Sequence, residues 1–410
     1  MDDFKRFAPA FRSAEPPRHA RRPRLETAHG IERVDDYAWM RADNWKEALA
    51  DPRKLPADIR FALEAENAHV ETALSPLADL RAILAAELRA RVKEDEAEPP
   101  VPDGAFAYYT RHRVGGQHPL LCRVPRGGGE SEEQILIDGD AEAGGREFFD
   151  LGDAAHSPDH AKLAWTFDET GGEEFVLRVR DLATGRDGPT LARRIDGDPV
   201  WSCDSRALLY VALDAEHRPT RVMRLALDVA GAAPELVLEE RDPRFFLSLQ
   251  ESASARYAIV SAHDHDSTRV WLIDLADRAA TPREIAARVP GRLVEADHWR
   301  DRLILTVGDR DAVDFKIVEA PLDAPDQWRD LVPHEPGRMI VDVAVFDRYL
   351  ARLERVEALP RIVVRDMETG EEHGLAFEEE AYALDFGAMY EHGATTLRFV
   401  YSSPTRPREI

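Results

Sequence analysis

Few residues in this chain have the type and spacing that chemistry requires. A serine hydrolase sets its nucleophile on a sharp turn, with glycine two residues before and two after, so that the backbone can bend and present the oxygen. The chain holds thirteen serines, and none lies in G-x-S-x-G. Ser131, in "GGGESEE", comes nearest, but Glu133 stands where the second glycine is needed. The same stretch is no phosphate cradle, because no Lys-Ser/Thr follows it and no helix opens after it. "HDHD" sets His263 and His265 at alternate positions, where one strand face can offer two imidazoles to a metal. The tetrad also suits a turn in which aspartates bond the amides, and that is the expectation. "HSPDH" reads the same way, with Pro158 and Asp159 turning the chain between His156 and His160. Spacing therefore assigns no catalytic, cofactor-binding or metal-ligating residue. Trp165, Trp201, Trp271 and Trp299 fall in or beside strand-like runs and are expected to pack between sheets rather than form an aromatic binding surface.

The elements that position these residues divide at a charged, Pro-rich stretch, "KEDEAEPPVPDG" (93–104). Before it, residues 1–30 have no period and read as an extended or disordered leader. Residues 31–92 form an α-helical segment. Ile59, Leu63, Asn67, Val70 and Leu74 recur at helical spacing after Pro56. A second helix is expected with Ser75 as N-cap, Pro76 as first residue, and Leu77, Leu80, Leu84 and Leu88 along one face.

After the linker (93–103) the texture changes to short strands and turns. Apolar runs end at Asp168, Asp214, Asp264 and Asp309, in steps of 46, 50 and 45 residues. The same step reaches Val356 and Ser403, and an earlier member ends at His112. Partner strands are expected to begin five to seven residues later, at Phe175, Arg221, Arg269, Phe315 and Arg361. Strand pairs repeated at this period are the mark of propeller blades. The fold class expected is mostly β: a seven-bladed β-propeller over 104–410, preceded by the helical segment. By the same count the third strand of blade seven begins at 408 to 410, so the last blade is expected to be incomplete.

Composition narrows the function classes. There are 54 basic and 78 acidic residues, for a formal charge of −24. Residues 1–34 hold eight basic and five acidic side chains, so the remainder carries −27. Such a body repels phosphates and argues against nucleic-acid partners; it would draw in basic ligands, but solubility is the simpler reading of the charge. No run of 18 apolar residues exists to span a membrane, and no signal peptide is visible. Two distant cysteines, Cys122 and Cys203, suit a reducing cytoplasm and make neither a disulfide scaffold nor a zinc site.

"HGIERVDDYAWMRADNW" (29–45) and "RFALEAENAHVETAL" (60–74) resemble the amino-terminal signature of the prolyl oligopeptidase family, with Asp35, Asp36, Tyr37, Trp39, Glu64, Glu66 and Asn67 in order. "RVKEDEAEPPVPDGAFAYYTRHRVGGQHPLLCR" (91–123) is similar to the oligopeptidase B (protease II) branch, and the likeness runs over about residues 16 to 410. The resemblance implies a cytoplasmic serine peptidase that cuts short peptides after Arg or Lys. Its propeller would lie over an α/β-hydrolase domain that follows in sequence, with the amino-terminal helices packed on that domain. The nucleophile, base and acid would all lie beyond Ile410, so the chain is expected to be inactive alone and to gate peptide access to a hydrolase domain in cis. The alternative is a stand-alone propeller that binds peptides or proteins.

Overall fold

The repeat has a local cause: an aspartate that closes a hairpin. In the computed structural model, which describes residues 15–410, the Asp168 carboxylate accepts from the Thr170 amide at 2.8 Å and the Glu173 amide at 2.8 Å. Asp214 accepts from the Glu216 and Arg218 amides, Asp264 from Asp266 and Ser267, and Asp309 from Asp311. Each carboxylate replaces a backbone acceptor in the turn between second and third strands. The Asp266 amide is the main reason the Asp264 carboxyl sits below its ordinary range.

Around these hairpins the chain builds antiparallel sheets in sequence order. Val101–Asp103, Phe106–Arg111, Leu120–Pro125 and Gln134–Asp138 form the first. An eight-stranded sheet follows. It runs from Asp150–His156, Lys162–Asp168 and Phe175–Asp181, with Arg186–Asp187 to one side, into Ala192–Trp201, Ala207–Leu213, Pro219–Ala226 and Glu235–Glu239. Three four-stranded sheets come next, over 246–286, 293–332 and 338–374, and a three-stranded sheet over 383–409. The architecture is a β-propeller. Its cores lie between successive sheets: Val200, Leu209 and Val222 pack with Leu247, Val260 and Ile273, and Ile259, Val270 and Leu272 with Val294, Leu303 and Leu305. Last and first sheets also meet, since Glu391 accepts from the Gly104 amide and pairs with Arg126.

The residues 15–93 form a unit of their own, with a hairpin (Arg24–Ala28 with Ile31–Asp35) and two long helices, Ala57–Leu74 and Ala78–Ala90. Ser75 does not cap the second helix. Its backbone is α-helical and its hydroxyl donates back to the Thr72 carbonyl at 3.0 Å, so a single 3₁₀ turn (Ser75–Leu77) carries one helix into the next. Ile59 and Ala62 are buried, whereas Phe61, Leu63, Leu84 and Leu88 are largely exposed.

Strand starts also differ from the expected ones. The third strands begin at Pro219, Thr268, Ala312 and Leu359, one to three residues early; aspartate-closed turns tighten the first three, and Glu357 and Ala358, both at positive φ, make a two-residue turn before the last. In the last sheet Arg406–Glu409 pairs with Phe399–Ser403, and Pro404 and Thr405 make the turn. That third strand starts at 406 rather than 408. Residues 101–103, within the stretch read as a linker, supply the first strand of the first sheet.

Candidate ligand-binding cavity

Five strands have an unusual makeup. "DLGDAAH" opens the eight-stranded sheet, "ARRIDGDPVW" lies within it, and "FLSLQE", "LVEADHW" and "RMIVDVAV" open the three four-stranded sheets; all mix carboxylates with small and apolar residues. One face supplies the core, as Leu247, Leu249, Val294, Ala296 and Ile340 do. On Leu293–Trp299 the other face carries Glu295 and Asp297; on Phe246–Glu251 it carries Ser248 and Gln250, and Glu251 stands at the strand's end in line with Leu247 and Leu249. Pairing is interrupted between Leu151 and Ala154, Asp196 and Val200, and Ile340 and Asp342, and such bulges re-aim side chains. Asp153, Asp198 and Asp342 sit at these irregularities.

These strands face common space. A cavity of about 530 Å³ is lined by Ser248, Gln250, Glu295, Asp297 and Asp342, with His263 and Asp264 at its edge. A second, of about 360 Å³, is lined by Asp103, His156, His160, Asp198, Glu251 and Tyr390. A third, of about 280 Å³, shares Gln250 and Asp297 with the first and Glu251 and Tyr390 with the second.

Five of these carboxylates, Asp196, Asp198, Glu251, Glu295 and Asp297, are raised above their ordinary range. Burial, then the charge of Asp103, pushes Glu251 up to about 7. Burial pushes Asp297 up to about 6, although its Oδ1 accepts from the Ala253 amide at 2.9 Å and the His298 amide at 2.7 Å. Glu295 is raised by burial and then by Asp342, and Asp196 and Asp198 by burial and then by Asp153. Glu251 is reached by water yet surrounded by protein, as in a narrow cavity where bulk solvation is lost. Among the described residues none of Asp153, Asp196, Asp198, Glu251, Glu295, Asp297 and Asp342 has an ion-pair partner. A lining of carboxylates without cationic partners favours a cationic ligand, and binding of one drives protons off Glu251 and Asp297, whose carboxyls burial raises.

The sequence candidates fall as follows. Ser131 lies exposed in a 3₁₀ turn, and Glu133, in the position a nucleophile motif reserves for glycine, binds Arg111. That guanidinium holds the Glu133 carboxyl down to about 2. Asp264 closes its turn, and its two imidazole neighbours are not gathered with a third ligand. Trp165, Trp201, Trp271 and Trp299 are all buried, and the Trp201 indole donates to the Ala155 carbonyl at 2.9 Å. Cys122 is buried, and burial pushes its thiol up to about 12, which rules out a reactive thiolate.

Two groupings go beyond the motifs: the sequence singles out no member of one, and for the other "HSPDH" supplies His156 and His160, read as a turn, without their third member. Ser254 Oγ lies 2.8 Å from His298 Nδ1, but His298 Nε2 is buried without a partner, so no acid orients the ring as a triad needs. The fold also brings Asp103 beside His156 and His160, 53 and 57 residues away. The Ser254–His298 contact and the addition of Asp103 to the histidine pair are spatial and leave no mark in the sequence.

Residues 16–410 match the family described as the prolyl oligopeptidase, N-terminal beta-propeller domain. A dipeptidyl aminopeptidase BI of Pseudoxanthomonas mexicana is 31% identical over 96% of this chain, which covers 56% of that protein. Protease 2 of Moraxella lacunata is 23% identical over 94% of the chain and 55% of its own length. The structure of oligopeptidase B from Leishmania major superposes with a TM-score of 0.85 at 24% identity, over 97% of this chain and 58% of that one. The chain thus spans a little over half the length of these relatives. No helix of the described residues is long and apolar enough to cross a membrane.

Proposed function

Because this chain belongs to the prolyl oligopeptidase family, we propose that it is the non-catalytic amino-terminal and propeller part of a serine peptidase of the oligopeptidase B kind. Its propeller admits short basic peptides to a hydrolase domain that follows Ile410 in cis. The observation that carries this reading is the set of raised, unpaired carboxylates on the opening strands, Glu251 and Asp297 foremost. A ligand with Arg or Lys side chains is the partner that such a lining favours.

Three further features support it. Taking the eight-stranded sheet as two four-stranded blades joined where Ala192–Ile195 pairs with Phe175–Leu177 is the reading that gives seven blades. Phe61, Leu63, Ile83, Leu84 and Leu88 leave the helical segment (31–92) with apolar surface that a hydrolase domain would cover. Relatives named as peptidases extend well beyond the matched region. Cleavage after Arg or Lys, short peptide substrates and a cytoplasmic setting all belong to this proposal.

The decisive test is the reading frame downstream of the Ile410 codon in the source DNA. A G-x-S-x-G motif within about one domain length supports the proposal. A stop codon with no such frame overturns it. In the full-length product, dipeptidyl and Arg-containing endopeptidase substrates should be compared, since a 31%-identical relative is named a dipeptidyl aminopeptidase.

One observation favours a second reading, a stand-alone peptide- or protein-binding module. Glu391, Arg126 and Arg398 join the last sheet to the first within the described residues. A cooperative melt of the isolated chain with saturable peptide binding, together with the stop codon, is its expected signature.

A further inference from the structure

We propose that Asp103, His156 and His160 form a site for a divalent transition-metal ion of the zinc type. Among the described residues they are the one group of three or more His, Cys, Asp or Glu side chains whose ligand atoms gather this closely, within 4.8 Å of one another. Two imidazole nitrogens and one carboxylate oxygen are a donor set suited to Zn²⁺ or Co²⁺ rather than to Mg²⁺ or Ca²⁺, which prefer oxygen.

The surroundings do what a metal site requires. The His156 ring stacks on Tyr108 with centroids 3.8 Å apart and planes 8° from parallel. The Tyr108 hydroxyl lies 2.9 Å from His160 Nδ1, which fixes that ring and leaves Nε2 as the ligand. His160 Nε2 has no hydrogen-bond partner. Gly104 keeps the space before it open: with φ +54° it suits glycine, and a β-carbon there would stand 2.6 Å from that nitrogen. His156 Nε2 and Asp103 Oδ2 are 2.6 Å apart, joined by a proton. An ion takes that proton's place and spreads the pair to about 3.3 Å, as tetrahedral bonds of about 2.0–2.1 Å require. All three residues border the cavity of about 360 Å³, which leaves a fourth position for water or a ligand group.

The ligands come from the opening strand of the first sheet, the end of the next opening strand, and the turn after it. A bound ion therefore ties the start of the ring to its neighbour and stabilises the folded chain by linkage. The site stands independently of the peptidase reading, because nothing in the argument uses the hydrolase domain.

The experiment titrates the tag-free chain with Co²⁺ and follows the intense visible bands of four-coordinate cobalt, then displaces it with Zn²⁺. One equivalent is expected to bind, and Zn²⁺ is expected to raise the melting midpoint. Tyr108→Phe should weaken affinity about 10-fold, the scale of losing a supporting partner. His160→Gln and Asp103→Asn should abolish the bands. Asp103→Asn can still hydrogen-bond His156, so in EDTA it should melt as the parent does. His263→Gln with His265→Gln should bind as the parent does. Absence of one-to-one binding, undiminished affinity in Asp103→Asn, or loss confined to the 263/265 variant would each overturn the proposal.

Discussion

Arg398 donates to the carbonyl of Pro99 at 2.8 Å, and to that of Pro100 at 3.0 Å, across almost the whole length of the propeller sequence. With Glu391 on Arg126 and Arg408 on Glu98, this contact joins the last sheet to the first. Among the described residues no strand ladder does so, and the last sheet holds three strands. Closure therefore rests on side chains: Arg398 on backbone carbonyls, two ion pairs, and Tyr390 against Tyr108 and His156.

Replacing Arg398 with Met keeps the stem and removes the donors. The variant is expected to lose about 1–3 kcal/mol, the range for hydrogen bonds from a charged group. Urea unfolding measures it. Hydrogen exchange over 399–409 should accelerate more than exchange over 257–274. Uniform acceleration, or none, would show that closure lies elsewhere.

Glu251, whose carboxyl is raised to about 7, makes stability depend on pH in a definite direction. A group with a raised folded value binds more protons in the native state, so its contribution is complete below the unfolded value near 4.3 and is lost as pH rises through 7. Asp297, raised to about 6, acts the same way. Unfolding free energy should fall between pH 5 and 8, and Glu251→Gln should flatten that slope by about 1 kcal/mol, the shift being discounted because water reaches the side chain. A slope unchanged in the variant would remove Glu251 from the account.

Cationic ligands should show the opposite trend. An Arg-containing peptide is expected to bind more tightly at pH 8 than at pH 5 and to release protons on binding. Calorimetry in two buffers of different ionisation heat reads that release. Affinity independent of pH would separate the carboxylates from peptide binding.

Trp165 is fully buried between sheets, and its indole donates to Asp187 at 3.0 Å. Trp165→Ala should cost about 3–5 kcal/mol by opening a large cavity. Peptide affinity measured below the melting transition should not change. A lost peptide site in a folded Trp165→Ala protein would restore the aromatic-surface reading.

Leu84 and Leu88 are exposed, at 47% and 64%. Changing both to Ser should alter the stability of this chain by no more than about 0.5 kcal/mol per site and lower its binding of a hydrophobic dye. Strong destabilisation would show that this face is already packed.

The hairpins were legible because their causes are local. An apolar run, an aspartate and a partner strand lie within about twenty residues, and each aspartate bonds amides two to five positions on. Ser75 misled because Ser-Pro is an equally good start for a capped helix and for a 3₁₀ turn, and the continuing helical register decided between them. The exposed leucines were legible as a face, since helical spacing alone places them together.

The acidic lining was hidden for a physical reason. The opening strands bury one face and line a cavity with the other, and bulges at Asp153, Asp198 and Asp342 break the alternation by which a strand is read. The amino-acid sequence by itself determined the repeat, the hairpin positions, the tryptophan packing and the acidic charge, because each depends on neighbours close along the chain. Only the tertiary structure decided that Glu251 meets the field of Asp103, and that Asp103 stands beside His156 and His160. Asp103 meets His156 and His160 through the packing of the first sheet on the next, while Glu251 lies two sheets further on; the contacts that join the last sheet to the first are as far apart in sequence as Arg398 and Pro99.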